Sequence, residues 1–342
     1  MALDLTKEFP IRVLTPAKDM QTWKDRGITA VEGPPRGDFM MPWCLEAQRL
    51  GLQIWLRGNT NVENVAVRCG PDEPDLPRKN LDVAKLAALM EPMTRPRFLN
   101  FSGDLKQQLE SNYRGMMGHA EIISGDVYPI NQAAKARPLG AQVEMLRKLR
   151  EWSGEKPCGA YIECAYFGLD PAGRAPTPAE MRAQVWLAVI GGARTIGWFP
   201  HQLKPAWKWD AMPLSNVAEM ITLNASLKVM APILQGPIDP VPLMSSHPDV
   251  FVGSRLHKGE LHVFAVNAAP TKLINVFVAV GDEVPQIGPW TFPPFAVEHF
   301  VFQKPHEWLR SNSLPILDAI WAEGDGWQLR ESITDRVTEA LR

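Results

Sequence analysis

Two glutamates, Glu73 and Glu163, stand where a pair of carboxylates could work on one substrate. Glu73 lies in the turn Gly70-Pro-Asp-Glu-Pro-Asp75, after the apolar run Val65-Ala-Val-Arg68; Glu163 directly follows Cys158-Gly-Ala-Tyr-Ile162. Facing carboxylates, one protonated and one ionised, are the minimum for breaking a glycosidic bond. A separation of about 5–5.5 Å goes with retention, and about 6.5–9.5 Å leaves room for an inverting water. Spacing along the chain does not choose between them. The prolines beside Glu73 stiffen its loop, which suits a positioned acid but equally suits any tight turn. Asp72 adds a like charge that helps keep Glu73 protonated.

Other polar and aromatic residues fall at neighbouring segment ends. Asp126, in Ser124-Gly-Asp-Val-Tyr-Pro129, could orient Tyr128 or a substrate hydroxyl, or only cap its turn. His201 follows Thr195-Ile-Gly-Trp-Phe199 and could bind sugar or serve as an ordinary loop residue. Trp207 and Trp209, in Lys204-Pro-Ala-Trp-Lys-Trp209, offer aromatic faces for a sugar ring or for packing. Arg57 and Asn59 follow Leu52-Gln-Ile-Trp-Leu56 and are placed on the pocket floor. Arg12 points either into a core or toward its base.

The elements that must position these residues alternate. Strands are expected at 11–14, 28–31, 52–56, 65–68, 97–101, 120–123, 158–162 and 195–199. Helices are expected at 18–26, 42–50, 81–90, 105–117, 141–152, 178–190 and 216–230, with none clear after the third strand. Gly27 and Gly51 end the first two helices as C-caps do. Eight such units predict an α/β chain closed as a (β/α)8 TIM barrel over residues 1–237. The first turn, Thr15-Pro-Ala-Lys18, has no glycine-rich phosphate cradle, which excludes a nucleotide-binding sheet. Four β-rich runs, at 250–254, 261–266, 274–280 and 297–302, predict a small antiparallel β-sandwich domain over 238–303. Residues 304–342 read as a helical tail.

Composition narrows the function further. Of 342 residues, 45% are hydrophobic and 22% charged, with a net charge of −2; this gives no footprint for nucleic acid or an acidic membrane. The longest apolar run, around 185–193, is short for a bilayer. The N-terminus does not read as a signal peptide, so a cytoplasmic or virion-associated place is expected. Cys44, Cys69, Cys158 and Cys164 form no CxxC pair and read as buried thiols. No His-x-His ends the first strand, so a metal-assisted hydrolase is set aside, and neither metal nor cofactor is expected.

On these residues the barrel resembles clan A of the glycoside hydrolases. That clan carries its acid/base glutamate after strand four, matched by Glu73, and its nucleophilic glutamate after strand seven, matched by Glu163. Trp198 matches the strand-eight tryptophan that floors the sugar site, and Tyr128 a tyrosine beside the nucleophile. The run Pro176 to Phe199 and the turn Gly125-Asp-Val-Tyr-Pro129 are similar to those of uncharacterised bacterial glycosidase-like barrels. The resemblance covers about two thirds of the chain and implies a retaining glycosidase with a carbohydrate substrate. One departure is Asp72, where the clan has an asparagine that contacts the sugar 2-hydroxyl. Asp72 therefore also favours a rival: a non-catalytic glycan-binding or structural barrel, such as part of a phage tail or surface assembly, alone or as a homo-oligomer.

Overall fold

The computed structural model describes residues 3–34, 38–58, 62–94, 96–280 and 286–303. Eight parallel strands close into a ring in chain order: β1 (Ile11–Leu14), β2 (Ala30–Gly33), β3 (Gln53–Arg57), β4 (Val67–Cys69), β5 (Arg97–Ser102), β6 (Ile122–Asp126), β7 (Cys158–Glu163) and β8 (Ala193–Phe199). Among the described residues seven α-helices accompany them: α1 (Met20–Asp25), α2 (Met40–Arg49), α3 (Val83–Met90), α4 (Glu110–Met117), α5 (Ala141–Ser153), α6 (Pro178–Gly191) and α7 (Leu214–Leu234). Among the described residues no helix joins β3 to β4, as the sequence suggested.

Local chemistry sets the helix ends. Thr177 and Glu180 form a capping box at the start of α6, with Pro178 inside the first turn. Gly192 closes α6 and Gly154 closes α5 in the left-handed conformation, which costs a glycine little. Asp82 caps α3 by accepting from Lys85 N–H at 2.8 Å. By length and mean hydropathy (1.3) α7 could cross a bilayer. It lies against the barrel, with Met220, Leu223, Leu227 and Leu234 buried.

The strands are covered on both faces, so their apolar runs are nearly continuous. Register decides which residues point inward. Glu32 pairs with Trp55, and Tyr161 with Gly197, which in turn pairs with Arg12. Arg12 and Glu32 form a fully buried ion pair at the barrel centre. Tyr161 donates its hydroxyl to Glu32 Oε2 at 2.6 Å, and Arg12 Nε donates to Thr195 Oγ1 at 3.0 Å. The Arg12 guanidinium lies 4.6 Å from the ring centroids of both Trp55 and Phe98. Arg12 therefore points inward, where the sequence left both directions open.

Two three-stranded antiparallel sheets follow. One has the order β10-β11-β14 and the other β13-β12-β9, from β9 (Leu243–Ser245), β10 (Val250–His257), β11 (Glu260–Asn267), β12 (Leu273–Val280), β13 (Gln286–Phe292) and β14 (Val297–Gln303). The sequence reading missed β9 and β13. The inner faces meet through Val252, Leu261, Val263, Val276, Phe292 and Phe300. The outer face of β10-β11-β14 packs on α6, where Phe264 stacks on Trp186 at 5.3 Å. Arg255, fully buried, donates to Val189 O at 2.5 Å and Leu234 O at 3.3 Å, so one side chain holds carbonyls near the ends of both α6 and α7. The tail at 304–342, read as helical, and Asn59 lie outside the described residues.

Candidate functional site

The βα loops at the C-terminal ends of the strands gather the candidate residues. After β4 the chain makes a turn in which Glu73 adopts φ 47°, a conformation costly for a residue with a side chain. Three of its residues, Asp72, Glu73 and Asp75, anchor that turn. Glu73 N–H donates to Asn100 O on β5 at 2.8 Å. Asn100 Nδ2 donates to Asp72 Oδ1 at 3.1 Å, and Ser124 Oγ–H donates to Asn100 Oδ1 at 2.9 Å. The fully buried Asp75 accepts from Ser102 N–H (3.0 Å), Ser102 Oγ–H (2.5 Å) and Tyr113 O–H (3.1 Å). Asp75 is a positioning residue the sequence reading passed over. Its signal was present: an aspartate closing a Pro-Asp-Glu-Pro-Asp turn is a candidate anchor for that turn.

Asp126, at the end of β6, faces this turn. Burial, then the charges of Glu73 and Asp72, lift its carboxyl well above the usual range. Burial and Asp72 also raise Glu73, while Arg78 opposes the rise. Arg78 Nη2 reaches Glu73 Oε2 at 2.9 Å. Two carboxyl groups that cannot easily ionise together therefore share the mouth. Tyr128 lies beside them, edge-on to Phe167 at 4.9 Å. Burial first, and then Asp126, hold its hydroxyl protonated.

Arg57, inward at the end of β3, completes this side. Burial opposes its charge, while Asp72 and Glu32 more than restore it. His201 is fully buried among Phe199, Trp207 and Trp209, stacked on Trp207 at 5.2 Å. Its Nδ1 lies 2.8 Å from Trp209 O. A carbonyl only accepts, so Nδ1 carries the proton and Nε2 is a bare acceptor. Burial lowers His201 to about 4, so the ring is neutral. Trp207 leaves 47% of its surface exposed at the rim.

Two expected site residues are not brought to this mouth. Glu163 was expected to face Glu73, but it is fully buried and its oxygens are taken. Ile130 N–H donates to Oε1 at 2.9 Å, while Asn131 N–H (2.8 Å) and Asn131 Nδ2 (2.9 Å) donate to Oε2. The loop after β6 folds over β7 and claims this carboxylate. Burial, only partly offset by those donors, raises it to about 7. Trp198 was expected to floor a sugar site. Its neighbours Gly197 and Phe199 take the inward face, so its ring points outward. There its Nε1 donates to Asn224 of α7 at 3.0 Å.

The four cysteines are buried and free. Among the described residues, no group of three or more His, Cys, Asp or Glu is arranged to hold a metal ion.

No family model matches the chain, and no curated protein matches it. Solved structures do. A β-galactosidase from Rahnella sp. R3 superposes with a TM-score of 0.52 at 11% identity, over 76% of this chain and 59% of that one. A maltogenic α-amylase, AmyB, from Thermotoga neapolitana gives 0.50 at 10% identity, over 82% and 89%. A β-galactosidase from the psychrophilic Marinomonas ef1 gives 0.49 at 12%, over 68% of this chain and 62% of its own length. The chain thus spans about three fifths of either galactosidase. At such identities a shared fold is what the likeness establishes: this chain has the (β/α)8 barrel that these structures share.

Proposed function

We propose that this chain binds a glycoside across the C-terminal mouth of its barrel and hydrolyses it with Glu73 and Asp126 as the working carboxylates. The observation that carries the reading is the placement of these two acids on either side of β5, Glu73 held on Asn100 O and Asp126 paired with Ser102, close enough for the Glu73 charge to help raise Asp126. Two-carboxylate hydrolysis needs one protonated and one ionised member. Asp126 is the deeper of the two, has no ion-pair partner among the described residues, and holds the proton. Glu73, paired with Arg78, is the ionised member and acts as base or nucleophile. Asp72, Asn100, Tyr128 and Arg57 supply hydrogen bonds to sugar hydroxyls, and the exposed face of Trp207, backed by the buried His201, stacks on a ring. The retaining outcome implied by a Glu163 nucleophile loses its support with the sealing of that residue. The anomer formed first, read by proton NMR, reports it directly.

A second reading, a barrel that binds glycan without cleaving it, is favoured by that same sealing of Glu163. A panel of 4-nitrophenyl glycosides separates the two, with wild type, Glu73→Gln and Asp126→Asn assayed for release and for binding. Catalysis by this pair predicts turnover in wild type, a loss of about 100-fold or more in Glu73→Gln, and a smaller loss in Asp126→Asn, because nitrophenolate leaves with little help from an acid. Saturable binding without release by any of the three supports the binding-only barrel, as in a phage tail or surface assembly. Equal release by all three removes Glu73 and Asp126 from the chemistry.

A further inference from the structure

Arg57 lies in the barrel mouth within electrostatic reach of Asp72, Glu32, Tyr161 and His201. It is half-buried. Yet its guanidinium makes no hydrogen bond, and no ion pair within 4.0 Å, with any of the described residues. Five N–H donors are thus held at a partly desolvated site without a protein acceptor.

The carboxylates around it are turned to other donors or stand beyond hydrogen-bond reach. Below, both oxygens of Glu32 are occupied, one by Arg12 and one by Tyr161. The interior is itself short of acceptors, since Arg12 Nη2 and Trp55 Nε1 are buried without one. To the side, Asp72 Oδ1 accepts from Asn100. A planar donor fork left open in a cleft matches an oxyanion supplied from outside, which it can grip with two parallel bonds. Of the acids nearby, Glu73 is paired with Arg78 and Asp126 holds its proton, so Asp72 is the one carboxylate charge that the fork must outweigh.

We propose that the mouth selects glycosides bearing an oxyanion, a uronic-acid carboxylate or a sulfate ester, and that Arg57 is the residue that binds it. This rests on the reading of the mouth as a glycoside site, and it names the class of glycoside.

The test is isothermal titration of the full chain with matched methyl glycosides. The neutral arm is methyl glucoside and methyl galactoside. The carboxylate arm is methyl glucuronide and methyl galacturonide, and the sulfate arm is the 6-sulfated methyl glycosides. Wild type should bind at least one anionic member about tenfold or more tightly than its neutral counterpart, with a preference that weakens as salt rises. The arm that wins identifies the oxyanion. Arg57→Gln should abolish the preference, leaving anionic and neutral affinities within about twofold of each other. Arg57→Lys, which keeps the charge and loses the fork, should retain part of the preference. Circular dichroism and Tm on each variant verify the fold. Equal affinity of wild type for neutral and anionic glycosides overturns the inference and leaves the glycoside site standing. An anionic preference that survives in a folded Arg57→Gln also overturns it. Absence of binding by every member of the panel overturns the inference and the glycoside site together.

Discussion

Asn131 gives Glu163 two hydrogen bonds at once, from its backbone N–H at 2.8 Å and its side-chain amide at 2.9 Å, both to Oε2. The same amide also donates to Ala165 O at 2.8 Å, and Asn131 Oδ1 accepts from Phe167 N–H at 2.7 Å. Glu163 and Asn131 thus form a clamp between the end of β7 and the loop after β6. A carboxylate used in this way serves structure.

Glu163→Gln tests that role. The amide keeps the shape but replaces one acceptor oxygen with a donor aimed at donors. A loss of about 1–3 kcal/mol is expected in unfolding by denaturant. Release of nitrophenol by the folded variant should stay within about threefold of wild type, far from the loss that follows removal of a nucleophile. A stable variant with abolished turnover would restore Glu163 to the chemistry.

The same residue makes stability depend on pH with a defined sign. Burial raises its carboxyl from 4.5 to about 7 in the folded chain, so the folded state holds the proton more tightly than the unfolded one. Its stabilising contribution is complete below about pH 4.5 and is lost as pH rises through about 7. The shift corresponds to on the order of 3 kcal/mol. Unfolding free energies of wild type minus Glu163→Gln, measured from pH 4.5 to 8, should fall across that window. A difference that stays flat with pH rejects the assignment.

Glu32→Gln leaves the Arg12 charge buried and uncompensated at the barrel centre. A loss of about 3–5 kcal/mol is expected, and a part of it should return in the double variant Arg12→Met/Glu32→Gln. Chemical denaturation of the four proteins closes the cycle. Additive losses would show that the two residues do not act as a pair.

Trp198→Phe removes the indole donor to Asn224 Oδ1 and leaves that oxygen buried. A destabilisation of about 1–3 kcal/mol is expected, with glycoside affinity within twofold of wild type. If affinity fell tenfold while Tm held, the ring would belong to the sugar site.

Asp75→Asn weakens the anchor under Glu73, since the Ser102 hydroxyl and the Tyr113 hydroxyl both donate to Oδ2. Turnover should fall more than binding, because the Glu73 turn loosens while the rest of the mouth keeps its contacts. Unchanged kcat alongside a lowered Tm would make Asp75 structural only.

The alternation of elements was legible because its causes are local. Pro178, the Thr177–Glu180 box and the glycines at 27, 51, 154 and 192 act within one turn of the chain. Hydrophobic runs marked all eight barrel strands for the same reason. The missed strands β9 and β13 are sheet partners of β12, and their pairing is set by that neighbour rather than by their own pattern.

By itself the sequence determined the barrel, the sheets after it, and the set of polar residues at the strand ends. Only the tertiary structure decided which of them share a mouth. In strands buried on both faces, alternation does not mark the inward side. Trp198 and Phe199 are adjacent, yet one packs on α7 and the other joins Tyr128 at the mouth. Glu163 has the inward register of Tyr161, but a loop 32 residues earlier in the chain supplies its partners. A carboxylate goes to the strongest donors within reach, and reach is a property of the folded chain.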